Sequence, residues 1–207
     1  PTPSLTGSSP SPTATKTPTP TIIPIITGPG ITVNVNLILH SIGVGGDNVN
    51  PTAHSLSNKN PVHASRSAIV TLHNASDLVV GAVSGTIYYS SASGSFVGTV
   101  KLPLVGSGSY LMRVRTDHHL TKRLPGIISL ANQTITVPAL QYIAGDANND
   151  NKLNILDYNL LFSCYSANTA INCGNDKKVA TDFNDDGQVN QVDYNLFLRE
   201  LSVSFGD

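Results

Sequence analysis

Near its C-terminus the chain says one thing twice. The run Asp146-Ala-Asn148-Asn-Asp150-Asn-Lys152-Leu-Asn154-Ile-Leu-Asp157 is answered by Asp182-Phe-Asn184-Asp-Asp186-Gly-Gln188-Val-Asn190-Gln-Val-Asp193, and each continues Tyr-Asn-Leu. Oxygen-bearing side chains recur at positions 1, 3, 5, 9 and 12 of both stretches. A twelve-residue loop with this spacing wraps oxygen donors around a hard divalent cation, position 7 lending its main-chain carbonyl. The carboxylates at positions 1, 5 and 12 supply the negative charge that draws such an ion out of water. The spacing therefore predicts two calcium ions, around which the last third of the chain is organised.

Charge is sparse and uneven. Of the 207 residues 12% are charged and the formal net charge is -1, where about a quarter is the usual charged share. From Asp146 onward ten acidic residues face four basic ones, whereas three acidic and eight basic residues precede it. The near-neutral total argues against a nucleic-acid partner, and the acidic excess lies largely in the two loops. No apolar run approaches the ~20 residues of a membrane span. No signal peptide is visible, and a start at Pro1 rather than Met reads as a processed product or a fragment. Cys164 and Cys173 lie between the two loops; in an oxidising compartment they form a small local disulfide, elsewhere two free thiols.

Three segments follow from composition. Residues 1–30 hold eight prolines, eight threonines and four serines, with Lys16 as the only charge. Such a tail builds no core and favours extended, polyproline-like backbone. Thr13, Thr15, Thr17 and Thr19, set among prolines, are candidate O-glycosylation sites, which makes the tail a sugar-coated stalk or else a bare linker. Its end differs: Ile22, Ile23, Ile25 and Ile26 within residues 21–27 form a sticky, β-prone segment with no use in a linker. It is a candidate assembly strand, packing on its own domain or donated to a neighbour, with Pro24 confining it to an edge.

Residues 31–143 read as an all-β domain. Val33, Val35, Leu37 and Leu39 alternate with more polar neighbours, the pattern of a half-buried strand. Further strands are expected at 68–73, 78–90, 95–100, 109–116, 126–130 and 134–140, separated by turn residues, and about seven short strands suggest a β-sandwich. The stretch 108–115 resembles a late strand of immunoglobulin-like surface domains. A long Asn/Gly-rich loop from Gly43 to about Arg66 carries His54 and His63, candidates for a transition metal or else solvent-facing or capping side chains, and Asp47, Asn48 and Asn50, a set of oxygen donors for a further ion. The sequons at Asn74 and Asn132 fall at expected turns and suit N-linked glycans.

Residues 144–207 form the calcium domain, each loop running into a short helix. Leu160, Leu161 and Phe162 are expected to face Leu196, Phe197 and Leu201 across a core too small to stand alone, so that metal supplies the missing folding energy. This duplicated loop-plus-helix resembles the dockerin domain of cellulosome-type assemblies, with the Gly-Asp-x-Asn-x-Asp start at 145–150 and Asp closing each loop. The resemblance covers about sixty residues. It implies Asp146, Asn148, Asp150, the carbonyl of Lys152 and Asp157 as ligands in one loop, and Asp182, Asn184, Asp186, the carbonyl of Gln188 and Asp193 in the other. Asn154 and Asn190 then act through water. Position 6 of the first loop is Asn151 rather than Gly, a residue that tolerates left-handed backbone. The loops start 36 residues apart, with the cysteine segment inserted. Where many dockerins present small hydroxyl residues to a cohesin, this chain has Ile155-Leu156 and Gln191-Val192, which suggests a permanent packing surface.

No catalytic constellation is present in the sequence. Glu200 is the only glutamate, and Asp47, Asp77 and Asp117 are the only carboxylates before the last third; a glycosidase needs two that face each other. His118-His119 reads as a polar strand end. A non-enzymatic, extracellular or cell-surface protein follows. The leading expectation is a structural subunit that joins other copies of itself into a pilus-like filament by donor-strand exchange. The alternative is an adaptor whose dockerin-like end plugs into a cohesin-like receptor. A carbohydrate-binding module ranks third, because Tyr88-Tyr89 is the only adjacent aromatic pair in the β-domain and strand alternation turns one of the two inward.

Overall fold

A computed structural model describes residues 31–46, 56–102, 105–106, 108–130, 134–166 and 171–203. The candidate assembly strand at 21–27, the tail threonines, Asp47, Asn48, Asn50, His54 and Asn132 lie outside the described residues.

The element order is β1 (Ile31–Leu39), β2 (Ser65–His73), β3 (Val79–Ser90), β4 (Ser95–Leu102), β5 (Gly108–Thr116), β6 (Lys122–Arg123), β7 (Ile128–Leu130), β8 (Ile135–Thr136), β9 (Leu140–Tyr142), α1 (Ile155–Cys164), α2 (Asn175–Thr181) and α3 (Gln191–Val203). The body is mainly β with a small helical end, as expected. Its strands are hydrogen-bonded in one continuous path, β6-β5-β2-β3-β4-β1-β8, with β7 added on β5 and β9 on β1, rather than as two independent sheets.

Alternation drives the packing. In β1 every second residue from Ile31 to Leu39 is buried, and Ala68, Val70 and Leu72 of β2 and Met112 and Val114 of β5 do the same from their strands. β3 makes this one core possible. It pairs antiparallel with β2 from Val79 to Tyr88 and with β4 at Tyr88–Ser90. The sheet therefore curls, and residues of β1, β2, β4 and β5 share a single apolar cluster. Tyr89 packs on that cluster against Phe96 while Tyr88 stays exposed, the inward–outward split that strand alternation predicts.

Three features differ from expectation. The strand foreseen at 134–140 divides into β8 and β9, both parallel to β1. Pro138 lies at the break and has no N–H to give to a ladder. The two-residue β6 and the helix α2 were not foreseen, because neither is long enough to show a period. In the helical end, Leu161, Leu196 and Phe197 are buried as expected with Ala144, Ala147 and Phe183, and Leu160 is partly buried against them. Phe162 and Leu201 instead face solvent; the expectation placed both in the core. Phe183 takes the vacant role, stacking 6.1 Å from Phe197.

The helical end is not strung on a free linker. Leu120 N–H donates to the Ile143 carbonyl at 2.9 Å, and Gly145 N–H to the His118 carbonyl at 3.1 Å. Gly145 has φ +115°, and a Cβ there would come within 2.6 Å of Leu153. Only glycine lets the chain turn from the sheet into the first loop so closely.

Candidate calcium sites and the face they share with the β-domain

Each loop is built around its own carboxylates. In the first, Asp146 Oδ2 accepts from Asn151 N–H at 2.9 Å, Asp150 Oδ1 from Lys152 N–H at 2.9 Å, and Asp157 from Asn148 N–H at 3.2 Å and Asn154 N–H at 3.0 Å. The second repeats the plan: Asp182 Oδ2 accepts from Gly187 N–H at 2.7 Å, Asp186 Oδ1 from Gln188 N–H at 2.9 Å, and Asp193 from Phe183 N–H at 2.8 Å and Asn190 N–H at 2.9 Å. Backbone donors thus hold the carboxylates at positions 1, 5 and 12 toward the inside of each turn. Positions 4 and 6 carry the left-handed residues that make the turn tight: Asn149, Asn151, Asp185 and Gly187 have φ of 60°, 63°, 56° and 86°.

The closing aspartates have a second duty. Asn154 and Asp157 form a capping box at the start of α1, the Asn154 side chain accepting from Leu156 N–H at 2.8 Å. Asn190 accepts from Val192 N–H at 2.7 Å at the start of α3. The position-9 amides are therefore helix caps, and loop closure and helix initiation are one event.

Electrostatics at both loops suits a cation. Burial raises the carboxyl of Asp146 to about 6, with the charges of Asp157 and Asp150 adding to it. Asp182 rises to about 6 and Asp193 to about 7 for the same first reason, and Asp157 is raised as well. Asp146 Oδ1 is buried without a hydrogen-bond partner among the described residues. All the side-chain donors are hard oxygens, the set that suits calcium rather than a softer metal. Among the described residues no three His, Cys, Asp or Glu side chains form a metal cluster.

Positions 4 and 6 of the first loop and position 4 of the second face the other way. Asp185, buried at position 4 of the second loop, accepts from His63 N–H at 3.0 Å, lies 2.6 Å from His63 Nδ1, and pairs with Arg66 Nη2 at 3.0 Å. Its carbonyl accepts from Val62 N–H at 3.0 Å and from Asn58 Nδ2 at 2.7 Å. In the first loop Asn149 Oδ1 accepts from His118 N–H at 2.8 Å, and Asn151 Oδ1 from Thr121 N–H at 2.7 Å. His63, read from sequence as a candidate for a transition metal or as a solvent-facing side chain, is an anchor for the second loop. Sequence reasoning missed Asp185 because its carboxylate looked like one more acid in an acidic loop. The signal available was its position 4, which is not among the donor positions 1, 3, 5, 9 and 12.

Cys164 and Cys173 are joined as a disulfide with Cα atoms 5.2 Å apart. Asn74 caps its own turn, accepting from Ser76 and Leu78 N–H groups at 2.9 and 3.0 Å. A groove of about 610 Å³ on the β2–β5 face is lined by Arg113, Arg115, Arg123 and His73 and by no Tyr or Phe, so it offers no stacking platform for a sugar ring.

Residues 144–202 match the dockerin type I domain. The dockerin segment covers the two loops and all three helices. No curated protein matches the chain. Among solved structures the chain is similar to a chain from the complex of an N-terminal interface mutant of a type II cohesin–X–dockerin from Acetivibrio cellulolyticus. That match has 16% identity and a TM-score of 0.48, over 83% of this chain and 95% of the other. The complex of a C-terminal interface mutant from the same organism gives 15% identity and a TM-score of 0.48, over 86% and 97%.

Apolar side chains are exposed at the first turns of α1 and α3. Ile155 and Leu156 at the start of α1 are 64% and 55% exposed, and Val192 at the start of α3 is 49% exposed. Among the described residues nothing buries the expected packing surface. Phe162, Leu198 and Leu201 extend the same exposed apolar character along the two helices.

Proposed function

We propose that the chain is a calcium-stabilised, extracellular docking adaptor: its dockerin segment binds two calcium ions and carries the β-domain to a cohesin-like receptor. The observation that carries this reading is the exposure of Ile155, Leu156 and Val192 at the first turns of α1 and α3. These first turns are set by the two loop-closing aspartates, so metal and docking face are geometrically linked. Exposed apolar groups held on rigid helices are what a protein interface uses as its centre. The disulfide between Cys164 and Cys173 agrees with an oxidising, extracellular setting. Filament formation gains nothing comparable, since its assembly strand lies outside the described residues.

The test is calorimetric titration of the full chain with a panel of purified cohesins in calcium and after chelation. A cohesin that binds in calcium, loses binding on chelation, and is lost again with Leu156→Asp and Val192→Asp supports the adaptor. Self-association into fibres with no cohesin bound would replace it with the filament.

A further inference from the structure

We infer that the β-domain tunes the calcium sites: Asp185, Asn149 and Asn151 are positioning residues that hold the two loops in their metal-ready shape by bonding to the β-domain, chiefly to the segments bordering β2 and β5, not to the ion. This deepens the calcium-binding part of the adaptor reading and rests on it.

The geometry divides each loop by position. Positions 1, 3 and 5 carry the inward donors, while positions 4 and 6 of the first loop and position 4 of the second reach outward to the β-domain. Asp185 is the fullest case. Its carboxylate receives His63 N–H and Arg66 Nη2, lies against His63 Nδ1, and is withdrawn from water. Its carbonyl and that of Asn184 share the Asn58 side-chain amide, at 2.7 and 2.9 Å. Arg66 is itself fixed over the Phe96 ring, its guanidinium 5.4 Å from the ring centre. In the first loop the Asn149 carbonyl accepts from Arg115 Nη1 at 3.2 Å, beside the Asn149–His118 and Asn151–Thr121 bonds.

A loop that must gather about six oxygens loses conformational entropy on binding an ion. Anchoring these residues on the β-domain removes part of that cost in advance, which is preorganisation. By linkage the effect is mutual: what the β-domain gives to calcium affinity, calcium gives to the contact with the β-domain.

The test uses the full chain. Calcium titration by calorimetry compares the wild type with Asp185→Asn, Arg66→Gln, Arg66→Lys and Asn151→Gly. Asn151→Gly keeps left-handed backbone easy while removing the amide anchor. The expected result is about a tenfold loss of affinity confined to the second site for Asp185→Asn and Arg66→Gln. Arg66→Lys recovers part of it, and the double variant loses no more than either single. Asn151→Gly weakens the first site alone. Hydrogen exchange supplies the converse readout, the Val62 and His63 amides becoming slower to exchange when calcium is added. Should Asp185→Asn fail to fold, Asn151→Gly and the exchange measurement decide. Unchanged affinities in folded variants, with two ions bound by the wild type, overturn this inference and leave the calcium reading intact; no calcium bound by the wild type removes both.

Discussion

His40 Nδ1 lies 2.8 Å from Glu200 Oε1, and neither side chain is exposed to solvent at all. The pair joins the end of β1 to the last turns of α3, across 160 residues of sequence. It ties the far end of the dockerin segment to the sheet, while the loop anchors tie the near end. The only glutamate in the chain thus serves the union of the two parts.

Glu200→Ala is expected to destabilise the protein by about 3 kcal/mol, because it leaves a buried polar ring without its partner. Glu200→Gln, which keeps an acceptor at the same place, loses less. Urea unfolding followed by circular dichroism in calcium checks both, and equal stabilities for wild type and Ala variant would refute the role given to this pair.

Calcium removal is expected to act on the helices before the sheet. The small apolar cluster around Leu161, Phe183, Leu196 and Phe197 depends on loops whose carboxylates repel one another without an ion, and both α1 and α3 start from those loops. The β-domain has its own, larger core. Far-ultraviolet circular dichroism should show helical signal lost on chelation and restored by calcium, with the sheet contribution retained.

The pH dependence has a definite sign. Asp146, Asp182 and Asp193 have folded-state values of about 6, 6 and 7, all raised from 3.8 chiefly by burial. The metal-free folded state therefore binds protons more tightly than the unfolded chain does, and its stability falls as pH rises from about 4 to about 7. Metal-free protein should resist urea better at pH 5 than at pH 7.5. Calcium affinity should move the opposite way, weakening toward pH 5 as protons compete for the same oxygens. Parallel trends in the two measurements would contradict the assignment of these carboxylates.

Replacing both Cys164 and Cys173 by Ser opens a short loop between α1 and α2 and is expected to cost roughly 2–3 kcal/mol through unfolded-state entropy. Differential unfolding of the double variant against oxidised wild type measures it. Wild type treated with reductant should match the variant.

The two turns and the helices they start were legible because each lies within a few consecutive residues: a repeat of Asp and Asn in register states its own local plan. The strands of the β-domain were legible for the same local reason, alternation being a property of neighbours. Where the local signal was short it failed. α2 and β6 have too few residues to show a period, and the break at Pro138 split one expected strand into two parallel partners of β1.

What the sequence alone determined, then, is the duplicated loop-plus-helix and which residues alternate into a sheet. Only the tertiary structure decided that Asp185 meets His63, 122 residues away, that Glu200 meets His40, and that Ile155, Leu156 and Val192 stay in the open. Loop donors and strand faces are fixed by bond geometry over a few residues. The partner of a charge and the exposure of an apolar side chain depend on which distant surfaces the fold brings together.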